Sequence, residues 1–106
     1  MKVRVICIDD KFRPQEIPPS KWPKENSEYH ITWIYNQMQQ KGILGCELAE
    51  FDISDCLPYN CYNLNRFAIH KEDIELFMQL AKDSAQLNEI ELVDILHEIE
   101  HNSAKE

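Results

Sequence analysis

The sequence predicts an α+β fold in which β-strands come first and α-helices last. The first two-thirds of the 106 residues contain short alternating or β-branched apolar runs separated by turn residues. After His70 the apolar residues recur at helical spacing instead. Strands followed by helices favour a sheet with a helical extension and not alternating βα units. We therefore expect a tightly bent antiparallel β-barrel over residues 1–69 and two helices over residues 70–106, forming one compact domain overall.

Four segments of the first part are predicted to be strands. They are Lys2–Ile8, Tyr29–Tyr35, Ile43–Phe51 and the short run Phe67–Ile69. In the second of these, strict alternation would place Tyr29, Ile31, Trp33 and Tyr35 on one richly aromatic face. The polar stretch 36–41, which ends at Gly42, fits a hairpin loop, and Gly45 indicates the bend or bulge that a tightly curled sheet needs.

The segment between the first two strands is predicted to be a long ordered loop. It contains Pro14, Pro18, Pro19 and Pro23. Each proline lacks a backbone donor and has a fixed φ, so neither a helix nor a central strand can run through this segment.

Two helices are predicted at the end of the chain. The first carries an apolar stripe of Ile74, Phe77, Met78 and Ala81, and the second carries Leu92, Ile95, Leu96 and Ile99. Asn88 with Glu91 forms a capping-box pattern ahead of the second helix. The added apolar residues Ile90 and Val93 widen the second stripe, so we expect the pair to pack on the barrel or on a second copy in a homodimer formed through the C-terminal helix.

Charge and composition exclude several classes of function. Lys and Arg number 11 against 19 Asp and Glu, which gives a formal net charge of −8. This balance argues against direct binding of nucleic-acid backbones, whose affinity depends on Lys and Arg. No stretch is apolar and long enough to span a membrane, and the apolar run Val3–Ile8 is too short for a signal peptide, so a cytoplasmic location is expected. The four cysteines are then expected to be reduced and mostly buried, with no cofactor or structural metal.

A set of core and turn residues resembles small SH3-like barrels of uncharacterised bacterial and phage proteins. The residues that carry the resemblance are Trp22, Asn26, Tyr29, Ile31, Gly42-Ile43-Leu44-Gly45, Leu48, Glu50 and Arg66-Phe67. The likeness reaches to about residue 70 and leaves both helices outside it. The glycine of the family's turn is replaced by Asn26, and Asn tolerates positive φ better than other non-glycine residues, so the turn is expected to form. The resemblance implies a fold and a peptide or protein partner, and it implies no catalytic residue.

Aromatic side chains are the predicted binding residues. In SH3-like barrels, aromatics on loops and on one face build a groove for extended peptides. The candidates are Trp22, Tyr59, Trp33, Tyr35 and Tyr62. Trp22 and Tyr59 stand out because each lies next to a proline in a predicted loop. A place in the core is the competing interpretation for all five.

Two alternatives to a binding module remain open. His97-Glu98-Ile99-Glu100-His101 is an H-E-x-x-H string, which on a helix could hold zinc through His97 and His101 with Glu98 as general base of a hydrolase. Both histidines lie off the centre of the apolar stripe, however, and they also fit cations at the negative end of a helix. The acidic tail, with residues such as Glu72, Glu89 and Asp94, could instead mimic DNA phosphates and inhibit a nucleic-acid enzyme, although a solvated charged face is the ordinary explanation. The sequence therefore favours a non-enzymatic protein-binding or accessory domain with no catalytic residue.

Overall fold

The strands precede the α-helix, as the sequence predicts. The computed structural model describes residues 1–36 and 44–87. Its strands are β1 (Val3–Cys7), β2 (Glu28–Asn36), β3 (Leu44–Leu48), β4 (Tyr62–Asn63) and β5 (Phe67–Ile69), and its α-helix is α1 (Ile74–Ala85). Short 3₁₀ turns occupy Pro19–Lys21, Leu64–Arg66 and Lys71–Asp73. The described chain is therefore α+β, while the predicted second helix and the loop before β3 lie outside the described residues.

The five strands form one antiparallel sheet in the order β4-β3-β2-β1-β5. Val5 of β1 lies between two strands, opposite Tyr29 of β2 and Ile69 of β5. The prediction of a closed barrel is wrong, because β4 and β5 form the two edges and no ladder joins them within the described ranges. The physical reason is their length. β4 has two residues and β5 has three, so neither edge offers enough backbone for a closing ladder.

A β-bulge in β2 reverses the predicted facing of its second half. Ile31 lies opposite Leu48 and Trp33 lies opposite Glu47, so the extra residue is Thr32. After the bulge Ile34 is completely buried, whereas Trp33 is 44% exposed. The expectation that Tyr29, Ile31, Trp33 and Tyr35 share one face therefore fails beyond Ile31, since one extra residue turns every later side chain to the other face.

The helix α1 covers the part of β2 that runs past the start of β1. The ladder between these strands begins at Val3 and Ile31, so the following residues of β2 have no strand on that side. The backbone N–H of Ile34 donates to Ser84 Oγ of α1 at 3.1 Å, and Ser84 donates in turn to the Leu80 carbonyl at 2.6 Å. Phe77 and Ala81 of α1 are fully buried in the core. None of the helices in the described part of the chain has the length and apolar character needed to cross a bilayer.

The proline-rich segment is an ordered loop, as predicted, with only the 3₁₀ turn Pro19–Lys21 in it. Ile17 and Trp22 anchor it in the core. Asn26 adopts φ 71° and its N–H donates to the Cys7 carbonyl at 2.7 Å, which confirms the predicted turn with positive φ. The loop thereby returns the chain to begin β2 beside β1.

Candidate functional site

A cleft of about 590 Å³ opens beside β3. It lies between the end of β3 and the loop 51–60, and we call it the β3 cleft. Residues of the sheet form one side, including Tyr35, Glu47 and Leu48, and the loop forms the other, including Phe51 and Asp52. Its volume falls within the range of about 300–1,000 Å³ that is typical of ligand pockets.

Aromatic rings form the floor of the β3 cleft. Phe51 packs against Tyr62 with ring centroids 6.3 Å apart and against Tyr29 at 5.5 Å. Behind them, Trp22 contacts Tyr62 at 5.9 Å. The Tyr62 hydroxyl donates to the Lys21 carbonyl at 2.6 Å, and burial raises the pKa of this phenol. The floor is therefore a fixed, largely apolar surface with its polar tip already paired.

Carboxylates line the rim. Tyr35 donates from its hydroxyl to Glu47 Oε2 at 2.8 Å, and this hydrogen bond, with burial, raises the pKa of Tyr35 to about 12. Asp52 accepts the Ser54 N–H at 2.9 Å, which lowers the pKa of Asp52 and keeps it ionised. At neutral pH the rim therefore presents a neutral phenol and negative charge.

A cation close to the cleft, Lys21, is paired with the loop. Its Nζ lies 3.1 Å from Asp55 Oδ1. The hydrogen bond between them raises the pKa of Lys21 and lowers that of Asp55. This pair links the 3₁₀ turn at Pro19–Lys21 to the loop 51–60 and helps to hold the far wall of the cleft.

The cysteines do not supply nucleophiles in this region. Cys7, Cys46 and Cys56 are buried, as predicted, and Cys61 is half-buried. Burial raises the pKa of each of these thiols, most strongly that of Cys46. Since the thiolate is the reactive form, a raised pKa disfavours reaction at these thiols.

The predicted aromatic residues fall into two groups. Tyr35 and Tyr62 line the β3 cleft, and Trp22 supports it from behind. Trp22 is only 9% exposed; its Nε1 donates to the Asp10 carbonyl at 2.7 Å, and the Arg66 guanidinium lies 4.8 Å from its ring centroid. Tyr59 and Trp33 are 38% and 44% exposed and lie outside the cleft lining. The structure thus brings three of the five candidates together.

Several residues of the cleft were not identified from the sequence. Phe51 was expected to end the strand Ile43–Phe51, but β3 ends at Leu48, so Phe51 and Asp52 belong to a loop whose approach to β3 depends on tertiary packing. Glu47 and Leu48 belong to a predicted strand, and Leu48 was among the residues that carry the SH3-like resemblance, but neither was predicted to be a binding residue. A local clue was the Asp52-Ile53-Ser54 spacing, which is typical of a side chain that caps its own turn.

The H-E-x-x-H string at His97–His101 and most of the acidic tail lie outside the described residues. Within ranges 1–36 and 44–87, no group of three or more His, Cys, Asp or Glu side chains is placed to hold a metal ion.

Comparison with known proteins adds no family to these observations. No protein-family model, curated protein or solved structure matches this chain. The described residues define an α+β fold with an open five-stranded antiparallel sheet.

Proposed function

We propose that this chain is a non-enzymatic protein-binding domain of SH3-like architecture, whose β3 cleft takes an extended, basic segment of a partner polypeptide. The observation that carries the proposal is the combination in one cleft of an aromatic floor, formed by Phe51 and Tyr62, with ionised acid at the rim. Concave, largely apolar pockets with a few placed polar groups are the usual sites of ligand binding in proteins.

Local features support the SH3-like part of this proposal. The resemblance involves a short turn ahead of an Arg-Phe strand, and here the 3₁₀ turn Leu64–Arg66 leads directly into Phe67 of β5. The loop position where the family has glycine is held by Asn26 at φ 71°. The open edges at β4 and β5 are a departure from a closed barrel.

The charge of the site supports a basic partner. Glu47 and Asp52 face the cleft, and the nearby Lys21 is paired with Asp55. The whole chain, including these residues, has a formal net charge of −8. Complementary charge chiefly raises the association rate and the selectivity for basic partners.

The test is a selection from a random library of short linear peptides against the full-length protein, followed by calorimetric titration of the enriched peptides. Peptides that combine Lys or Arg with apolar residues are expected. Asp52→Asn, which keeps an oxygen to accept the Ser54 N–H, should weaken their binding by about twofold to fivefold, the range of an exposed ion pair.

A matched acid-to-amide change provides the control. Glu75 is exposed on α1 and lies outside the cleft lining, so Glu75→Gln should leave affinity within error of the unmodified protein. Enrichment of acidic peptides, no enrichment at all, or equal losses in both variants would overturn the proposal.

A further inference from the structure

The ladder between β3 and β4 stops inside the β3 cleft. Its last pair is Cys46 with Tyr62, where β4 begins. Continuing the same register would pair Leu48 with Asn60. Both of these residues line the cleft, so the strands separate at this point and the space between them is the cleft itself.

The backbone of Leu48 faces this space. The N–H of Ala49 donates to the His30 carbonyl of β2 at 2.8 Å, so Ala49 points toward β2. Backbone groups of successive residues in an antiparallel sheet point to opposite sides. The N–H and C=O of Leu48 therefore point away from β2 and toward the cleft, and no described residue continues the ladder there.

We infer that the bound segment adds to the sheet as a short strand antiparallel to β3, exchanging backbone hydrogen bonds with Leu48. This inference rests on the proposed function and specifies its binding mode. Addition of a strand to an exposed sheet edge is a recurring mode of peptide recognition, in which the backbone gives affinity and alternate side chains give specificity.

The two faces of the sheet at the β3 cleft determine which types of side chain the added strand should carry. A residue directly opposite Leu48 has its side chain on the same face as Leu48, toward the rings of Phe51 and Tyr62. Its neighbours point to the other face, where Glu47 and Tyr35 lie. The ligand class is therefore an extended peptide that alternates apolar residues with basic ones.

The charged rim also selects this occupant over a second copy of the chain. Another molecule of net charge −8 would bring further acid to Glu47 and Asp52. Like charges that face each other across an interface oppose association. A basic partner segment would instead be attracted to Glu47 and Asp52.

The probe is a capped peptide of alternating Lys and Val, compared by calorimetric titration with a peptide of the same composition in which Lys and Val form two blocks. The alternating peptide should bind at least about fivefold more tightly, because only its pattern places Val on the ring side and Lys on the acidic side. Equal affinities would overturn the strand mode.

Backbone N-methylation gives the decisive contrast. In the antiparallel register, the N–H groups that reach Leu48 belong to the Val residues. N-methylation of the Val amides should therefore reduce affinity by about fivefold to tenfold, the scale of a lost hydrogen bond. N-methylation of the Lys amides provides the matched control and should have a much smaller effect.

The outcomes separate the binding mode from the proposed function. If the alternating and block peptides both bind, and Val and Lys methylation have the same effect, then the domain binds basic peptides but not by strand addition. A larger loss on Lys methylation overturns the antiparallel register. A downfield shift and slowed exchange of the Leu48 amide in NMR spectra of the alternating-peptide complex would support strand addition, and an unchanged Leu48 amide would overturn it.

Discussion

Arg4 and Asp73 join the start of the helical region to strand β1 of the sheet. Asp73 accepts from the Arg4 backbone N–H at 2.9 Å and from Arg4 Nη2 at 2.7 Å. The hydrogen bonds from Arg4 lower the pKa of Asp73 to about 2 from its ordinary 3.8. Because the pKa is lower in the folded state, ionised Asp73 stabilises the fold above about pH 4, and this contribution is lost as the pH falls toward 2.

We predict that Asp73→Asn lowers the melting temperature at neutral pH, because the Arg4 guanidinium loses its nearer carboxylate partner and keeps only Glu72, at 3.6 Å. The difference from the unmodified protein should stay constant at higher pH and shrink between about pH 4 and pH 2. Calorimetric melting at a series of pH values measures it. Glu16→Gln, at an exposed position of the proline-rich loop, is the control and should show a much smaller gap. A gap of constant size down to pH 2 would contradict the prediction.

The hydrogen bond between Tyr35 and Glu47 makes an independent test of the cleft rim. We predict that Glu47→Gln lowers the pKa of Tyr35 from about 12 toward its usual 10, because the charged acceptor that favours the neutral phenol is removed. NMR titration of labelled tyrosine rings follows this residue individually. An unchanged Tyr35 titration in the variant would show that Glu47 does not accept a hydrogen bond from the Tyr35 hydroxyl.

At the scale of elements, the bulge at Thr32 decides which side of β2 enters the core. Ile34 is fully buried while Trp33 is 44% exposed. We predict that Ile34→Ala costs about 2–5 kcal/mol in the free energy of unfolding, as buried truncations do. Trp33→Ala should cost less than about 1 kcal/mol.

Urea denaturation of both variants compares them directly. Strict alternation without a bulge would give the opposite order, with the larger loss at Trp33. The comparison therefore tests, through the free energy of unfolding, whether Ile34 or Trp33 of β2 points into the core.

The Ser84 hydroxyl adds a hydrogen bond to the apolar packing of α1 on β2. Ser84 accepts the Ile34 N–H at 3.1 Å and donates to the Leu80 carbonyl. Ser84→Ala would leave the Ile34 amide without this partner beneath the helix, so we predict a loss of about 1–3 kcal/mol. Ser20→Ala, at an exposed position of a 3₁₀ turn, is the matched control and should be nearly neutral in the same denaturation experiment.

At the scale of the whole molecule, the net charge should set how fast the proposed basic partner associates. The chain carries −8, and the cleft rim is acidic. For a basic peptide enriched from the library, we predict that the association rate falls by on the order of tenfold between low and high salt, while the dissociation rate changes less. Stopped-flow or surface-based kinetics measures both rates. A rate of association that does not depend on salt would argue against electrostatic steering.

The sequence determined the order of the elements and the nature of the long loop. Prolines at 14, 18, 19 and 23 excluded a helix there, and the change to helical spacing after His70 located α1, because both signals come from constraints within a few residues. Asn26 was likewise predictable, since a single residue type identifies a backbone with positive φ.

Only the tertiary structure decided the openness of the sheet, the outward facing of Trp33 and the composition of the β3 cleft. Closure of the sheet would require β4 and β5 to be long enough to pair with each other. The bulge at Thr32 depends on how β2 pairs with β3. The cleft joins Glu47 and Leu48 to a loop that follows them in the chain but returns across the sheet edge. Such contacts reflect packing between segments, which local patterns of residues do not encode.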